Sequence, residues 1–321
     1  MKLNLLKCHG SGNTFLLLDE YNEKNLIIAE QQRAVISRTL CHPQSGLDAD
    51  GVLFYQESTI ADCAMRMFNP DGTEAEMCGN GLRCAGRYAA ETLNKTKISV
   101  ETGCSPLSVS QTEPLFPGIT TYAADIGPVS LETGSLPMET AQNTHCNELI
   151  PELSDTLRFT ALSIPNPHLI AFVPRWDTNQ LQRIGQSANN TPRFPRGVNV
   201  SFVRVLDKET LFVVTYERGA GITEACGTAM SAASFCSVKY DICQAGHNIT
   251  VYNQGGMVCC AVFPDNKKVC LQGNATFVSN HKVHLDHGCH KMTESVVSHI
   301  YAEEIKAYNQ LRKHAKNSVV T

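Results

Sequence analysis

The stretch Glu76-Met77-Cys78-Gly79-Asn80-Gly81-Leu82-Arg83-Cys84-Ala85 returns later as Glu224-Ala225-Cys226-Gly227-Thr228-Ala229-Met230-Ser231-Ala232-Ala233. Both copies read Glu-x-Cys-Gly, then a small polar residue, a small residue and a run suited to a helix. A cysteine just ahead of a helix meets unpaired backbone N–H groups and the positive end of the helix dipole, which lower a thiol pKa. The glycine that follows lets the backbone approach an anion closely. Each copy therefore offers a thiolate beside a carboxylate-binding turn. If the two copies face one carbon centre, one sulfur can remove a proton while the other delivers one.

The flanks repeat as well. Residues 3–19 read as strand, loop, strand, broken at His9-Gly10-Ser11-Gly12-Asn13, and 162–172 read the same way around Asn166. Asn13 precedes Cys78 by 65 residues and Asn166 precedes Cys226 by 60, the spacing of an internal duplication. Helical spacing covers 27–40 and 179–186, and the first central helix runs from Gly79 to about Leu93 with small residues along it. Residues 128–155, rich in Thr, Glu, Pro and Asn, form the crossing between halves. After Asp286 the character changes. Thr293 suits a helix N-cap, with Val296, Val297, Ile300, Ile305, Tyr308 and Leu311 as the apolar stripe.

At 321 residues the chain has room for two domains. A formal charge of −4 with no basic, aromatic-interleaved stripe gives no case for nucleic acid. The apolar runs are too short to span a bilayer, and no signal-peptide core follows Met1, so the expected setting is cytoplasmic, with no membrane partner. The fourteen cysteines include no Cys-x-x-Cys pair and read mostly as small buried apolar groups. His281, His284, His287, Cys289 and His290 match no zinc spacing, so no metal is expected. Gly79-Asn80-Gly81 lacks the third glycine of a dinucleotide fingerprint.

Six motifs in order resemble the diaminopimelate epimerase family: His9-Gly10-Ser11-Gly12-Asn13-Thr14-Phe15, Phe68-Asn69-Pro70-Asp71-Gly72, the first cysteine stretch through Cys84, Asn166-Pro167-His168, Val198-Asn199-Val200, and Glu217-Arg218-Gly219-Ala220-Gly221 with Ala225-Cys226-Gly227-Thr228. The resemblance covers about 3–285. It implies an α+β fold of two pseudo-symmetric domains, each a curled, mainly antiparallel sheet around a central helix, with the active site in the cleft between them. The implied division is 1–127 with a returning strand at 275–285, then 128–274, with 286–321 as a C-terminal helical extension outside the family pattern. The chain departs from that pattern at Asp48, Pro165, Ile222 and Ala229.

Removing an amino acid's α-hydrogen needs a positioned base and stabilised negative charge on the carboxylate. Cys78 and Cys226 are the candidate base and acid, and the N–H groups of Gly79, Asn80, Gly227 and Thr228 are the candidate carboxylate donors. The resemblance adds His168 and Glu217 as groups that adjust cysteine protonation, and Asn13 near the reacting amino group. It also adds Asn69, Asn166, Asn199 and Arg218 around a distal amino-acid head, a task that suits arginine's bidentate fork. The implied activity is interconversion of LL- and meso-diaminopimelate without cofactor, on a small-molecule substrate, with a homodimer as the family's assembly. The alternatives are a same-fold racemase of another amino acid, such as histidine, and a non-catalytic thiol- or metal-binding relative.

Overall fold

The computed structural model describes residues 1–23, 26–75, 77–103 and 106–320, so Glu76 of the first repeat and Cys104 lie outside the described residues. Contacts divide the chain into two compact units, Met1–Ala124 with Gly273–Gln310, and Asp125–Gln272 with Leu311–Thr321. The 286–321 segment is thus shared between the units and forms none of its own.

In the first unit the strand Lys2–Gly10 pairs antiparallel with Asn13–Asp19 and with the returning strand Thr276–Leu285. Asn13–Asp19 lies parallel to Gly51–Gln56, which pairs antiparallel with Cys63–Phe68. Cys63–Phe68 takes the short strand Glu74–Ala75 antiparallel and Lys97–Glu101 parallel, and Pro106–Thr112 and Thr121–Ile126 complete the meander. Helix α1 spans Glu30–Leu40 and helix α2 spans Gly79–Leu93. Strand alternation buries both faces of this sheet. Val52 and Phe54 join Ile36 and Leu40 of α1 in one core, while Leu53 points the other way, toward Gly81 of α2. Small residues let α2 sit this deep: a Cβ at Gly86 would come within 2.4 Å of Val109 on Pro106–Thr112.

The second unit repeats the same order of pairings. Ser154–Ser163 and Pro167–Phe172 are antiparallel, and the latter lies parallel to Asn199–Asp207. Asn199–Asp207 pairs antiparallel with Thr210–Glu217, which takes the short strand Gly221–Thr223 antiparallel and Asn248–Asn253 parallel. Gly256–Phe263 and Lys268–Asn274 close the series. Helix α3, Thr178–Asn190, starts where the Asp177 carboxylate accepts the N–H groups of Asn179 and Gln180. It contributes Leu181, Ile184 and Ala188 to the core that holds Phe159 and Phe202. Helix α4, Gly227–Lys239, is buried along most of its length. Its serines tolerate that burial because Ser231 and Ser234 donate to carbonyls one turn back, those of Gly227 and Met230. The fold is therefore α+β, two pseudo-symmetric curled sheets each with its own central helix.

The expected helix from Thr293 is corrected at its first half. Met292–Ile300 is a strand antiparallel to Thr276–Leu285, and the helix begins only at Ala302, running to Val320. Thr293, Val296, Val297 and Ile300 are β-branched and suit a pleated strand. Their apparent helical stripe is misleading, since Val296, Val297 and Ile300 are about half exposed, at 49%, 50% and 58%. The later members hold: Tyr308 and Leu311 are buried in the helix. Among the described residues no helix is long and apolar enough to cross a membrane.

Candidate active site

Each unit places one cysteine at the N-cap of its central helix. In the first unit Cys78 has extended backbone, and its Sγ accepts the Gly81 N–H at 3.4 Å, replacing the usual hydroxyl or carboxylate cap. The first intrahelical bond is Leu82 N–H to the Cys78 carbonyl, so the N–H groups of Gly79 and Asn80 precede it, as a carboxylate-binding turn requires. Asn13 Oδ1 lies 4.0 Å from Cys78 Sγ and accepts from Asn80 Nδ2 at 3.3 Å. A cavity of about 320 Å³ adjoins Cys78 and is lined by Met65, Met67, Met77 and Thr102 among others. Asn69 sits in a turn, donating from Nδ2 to Thr73 Oγ1 at 3.0 Å while its carbonyl accepts from Gly72 N–H.

In the second unit Cys226 has the same extended backbone ahead of α4, and Met230 N–H makes the first helical bond to its carbonyl. Gly227 and Thr228 occupy the places of Gly79 and Asn80. The Thr228 hydroxyl is the hub here. It lies 3.5 Å from Cys226 Sγ, 3.1 Å from His168 Nε2, and accepts from Asn166 Nδ2 at 3.2 Å. His168 Nε2 also lies 3.1 Å from Asn166 Oδ1, so the imidazole reaches the sulfur through Thr228. Glu217 accepts from the Thr223 hydroxyl at 2.5 Å and acts on Cys226 directly, by charge and by hydrogen bonding. Asn199 uses its Oδ1 to accept the Arg218 backbone N–H at 2.9 Å, and the Arg218 guanidinium donates to the Arg196 carbonyl at 3.0 Å.

Protonation corrects one expectation. The helix start was expected to lower the thiol pKa, but burial, reinforced by the Glu217 carboxylate, raises Cys226 well above the ordinary thiol range. The Thr228 hydroxyl and the Ala229 N–H oppose this and are outweighed. Cys226 is a thiol at neutral pH. Burial, and secondarily the Arg218 charge, pushes His168 down to about 3, so its ring is neutral, and its Nδ1 has no hydrogen-bond partner among the described residues.

The structure thus gathers Cys78, Asn13, Gly79 and Asn80 in one unit, and Cys226, Thr228, His168, Asn166 and Glu217 in the other, with Asn199 against Arg218. Thr223, Asp50 and Arg83 join the site without belonging to any of the candidate residues read from the sequence. Asp50 Oδ2 accepts from Asn13 Nδ2 at 3.1 Å and from the Thr14 N–H at 2.8 Å. Arg83 is wholly buried against Asn80 and Gly79. A charge inside the small-residue run of α2 was the readable sign for Arg83. Thr223 carried none.

The family model for diaminopimelate epimerase matches residues 5–114 and 160–278. The chain belongs to the diaminopimelate epimerase family. Among relatives of that name, the one from Clostridium acetobutylicum is 42% identical over 99% of this chain and 96% of its own length. The Enterococcus faecalis relative is 44% identical over 80% of this chain and 81% of its own. Solved structures share the fold of this family member at much lower identity. A phenazine biosynthesis protein of the PhzF family from Bacillus anthracis aligns with a TM-score of 0.63 at 15% identity, covering 89% of this chain and all (100%) of that one. A hydroxyproline epimerase from Agrobacterium vitis aligns at 0.60 and 14%, covering 89% and 92%.

Proposed function

We propose that this epimerase-family chain interconverts LL- and meso-2,6-diaminopimelate through two cysteines, one removing the α-proton and the other returning one, without pyridoxal phosphate. It is an isomerase acting on a small amino-acid substrate. The observation that carries the two-base reading is the duplication itself: Cys78 and Cys226 each cap the central helix of a unit built on the same strand order. An enzyme working on both stereoisomers needs a sulfur base for each, and each helix start supplies N–H donors for the charge that grows on the reacting carboxylate.

In this reading Cys226 is the acid in the resting state, since burial and Glu217 keep it protonated. Reprotonation from Cys226 leaves a thiolate that the Thr228 hydroxyl and the helix start then favour. Neutral His168 and Asn166 hold that hydroxyl in place. Asn13 attends the reacting amino group, while Asn69, Asn166, Asn199 and Arg218 read the distal head, with Arg218 matched to its carboxylate. A reducing, cytoplasmic setting suits a protein whose chemistry rests on thiols.

The test is α-proton exchange in D2O followed by NMR, with diaminopimelate and histidine as substrates. Exchange with diaminopimelate is expected; exchange with histidine alone would overturn the substrate assignment. Cys78→Ser and Cys226→Ser should each lower turnover by about a hundredfold or more, because serine is too weak an acid and base at neutral pH. Unchanged turnover in both would overturn the two-cysteine mechanism, and no exchange in the wild type with either substrate would leave the non-catalytic reading standing.

A further inference from the structure

Beside Cys78 four polar side chains make a chain of hydrogen bonds with a defined direction. Arg83 Nη2 donates to Asn80 Oδ1 at 2.9 Å, Asn80 Nδ2 donates to Asn13 Oδ1 at 3.3 Å, and Asn13 Nδ2 donates to Asp50 Oδ2 at 3.1 Å. A guanidinium can only donate and a carboxylate can only accept, so the two ends dictate which way both amides face. The guanidinium is held rigidly. It also donates to the carbonyls of Asn274 and Gly79, and Cβ atoms at Gly10 or Gly273 would come within 2.9 Å of it. At the other end Asp50 is tied by the Thr14 N–H at 2.8 Å.

We propose that Arg83 and Asp50 are positioning residues that together fix the orientation of the Asn80 and Asn13 amides, so that Cys78 always meets the Asn13 carbonyl oxygen and never its NH2. That oxygen, 4.0 Å from the sulfur, accepts from the S–H when Cys78 carries the proton and can accept from the substrate's ammonium when Cys78 is the thiolate base. An NH2 in its place would favour thiolate and repel the ammonium. The second part of this inference rests on Cys78 being a proton-transfer cysteine; the thiol part does not.

The restraint is redundant, since either end alone still orients Asn13. Arg83→Met and Asp50→Ala should therefore each cost kcat/KM only about threefold to tenfold, while the double variant loses at least about ten times the product of the two. Residues that do not touch ordinarily give simple products. Arg83→Lys, which still only donates, and Asp50→Asn, which keeps an oxygen acceptor without the charge, should recover most of the loss. Should Arg83→Met not fold, Arg83→Gln fills the space while removing the fixed direction. The second readout is the pH midpoint for iodoacetamide alkylation of Cys78, followed by peptide mass spectrometry. It should fall in the double variant by more than the two single shifts combined. Multiplicative kinetic losses, or an alkylation midpoint unmoved in the double variant, would overturn the proposal. If the wild type failed to exchange diaminopimelate, the functional reading would fall while the alkylation arm still judged the amide chain.

Discussion

At Cys226 two influences on one sulfur oppose each other, and their sizes decide its state. The helix start, the Thr228 hydroxyl and the Ala229 N–H favour thiolate; burial and Glu217 favour thiol and win. Glu217→Gln removes the carboxylate charge, so Cys226 should alkylate at lower pH while epimerisation slows; a midpoint that stays put would show that burial alone sets it. His168 gives a stability prediction. Its pKa near 3 in the folded chain lies below the ordinary value of 6.5, so between these values the unfolded chain binds a proton that the folded one refuses. Stability should be full above pH 6.5 and fall on acidification, by up to about 1.4 kcal/mol per pH unit below it. Urea unfolding at pH 7 and pH 5 measures this, and a smaller slope in His168→Gln assigns it. Position was legible for these residues because motif and repeat fix it. Their wiring was not: that His168 acts through Thr228, or that Thr223 holds Glu217, depends on which strands lie side by side.

Among the elements, α2 and α4 were readable because small residues in a helix imply close neighbours, and Gly86 against Val109 is the contact that demands them. The segment at 292–300 was misread because three apolar residues at helical spacing compete with β-branched propensity, and pairing with Thr276–Leu285 settled it. The helix after it docks through charge as well as apolar surface. Glu304 takes two hydrogen bonds from Arg87, which is only 7% exposed, and also accepts the Phe277 N–H. Arg87 packs over the Phe277 ring at 3.7 Å and keeps Glu91 as a second partner. Glu304→Ala should then cost about 2 kcal/mol, less than the ~3–5 kcal/mol seen when a fully buried ion pair loses one member. Denaturant unfolding checks it; a change within about 0.5 kcal/mol, as for ordinary surface sites, would mean that Glu91 and the aromatic ring suffice.

Over the whole molecule, the duplication was legible in two cysteine stretches and two asparagines, and it extends through the main series of strands, which follows one sequence of antiparallel and parallel pairings in both units, with Met292–Ile300 outside it. The parallel partners were hidden, because pairing across an intervening helix leaves no local trace. Solved structures at 12–15% identity share the architecture, so patterning carries it more than particular side chains. Where the thiols fall in this architecture has a practical consequence. Among the described residues Cys8, Cys41, Cys63, Cys84, Cys226, Cys236, Cys243, Cys259, Cys260 and Cys289 are buried, whereas Cys78, Cys146 and Cys270 are only partly covered. A brief native-state treatment with limiting reagent should tag those three first, and heavy early tagging of the buried set would contradict the packing. The folded chain is its own protecting group for the described buried thiols, so a probe or cross-linker can be addressed to the Cys78 loop once Cys104, Cys146 and Cys270 are replaced, with the buried described cysteines left untouched.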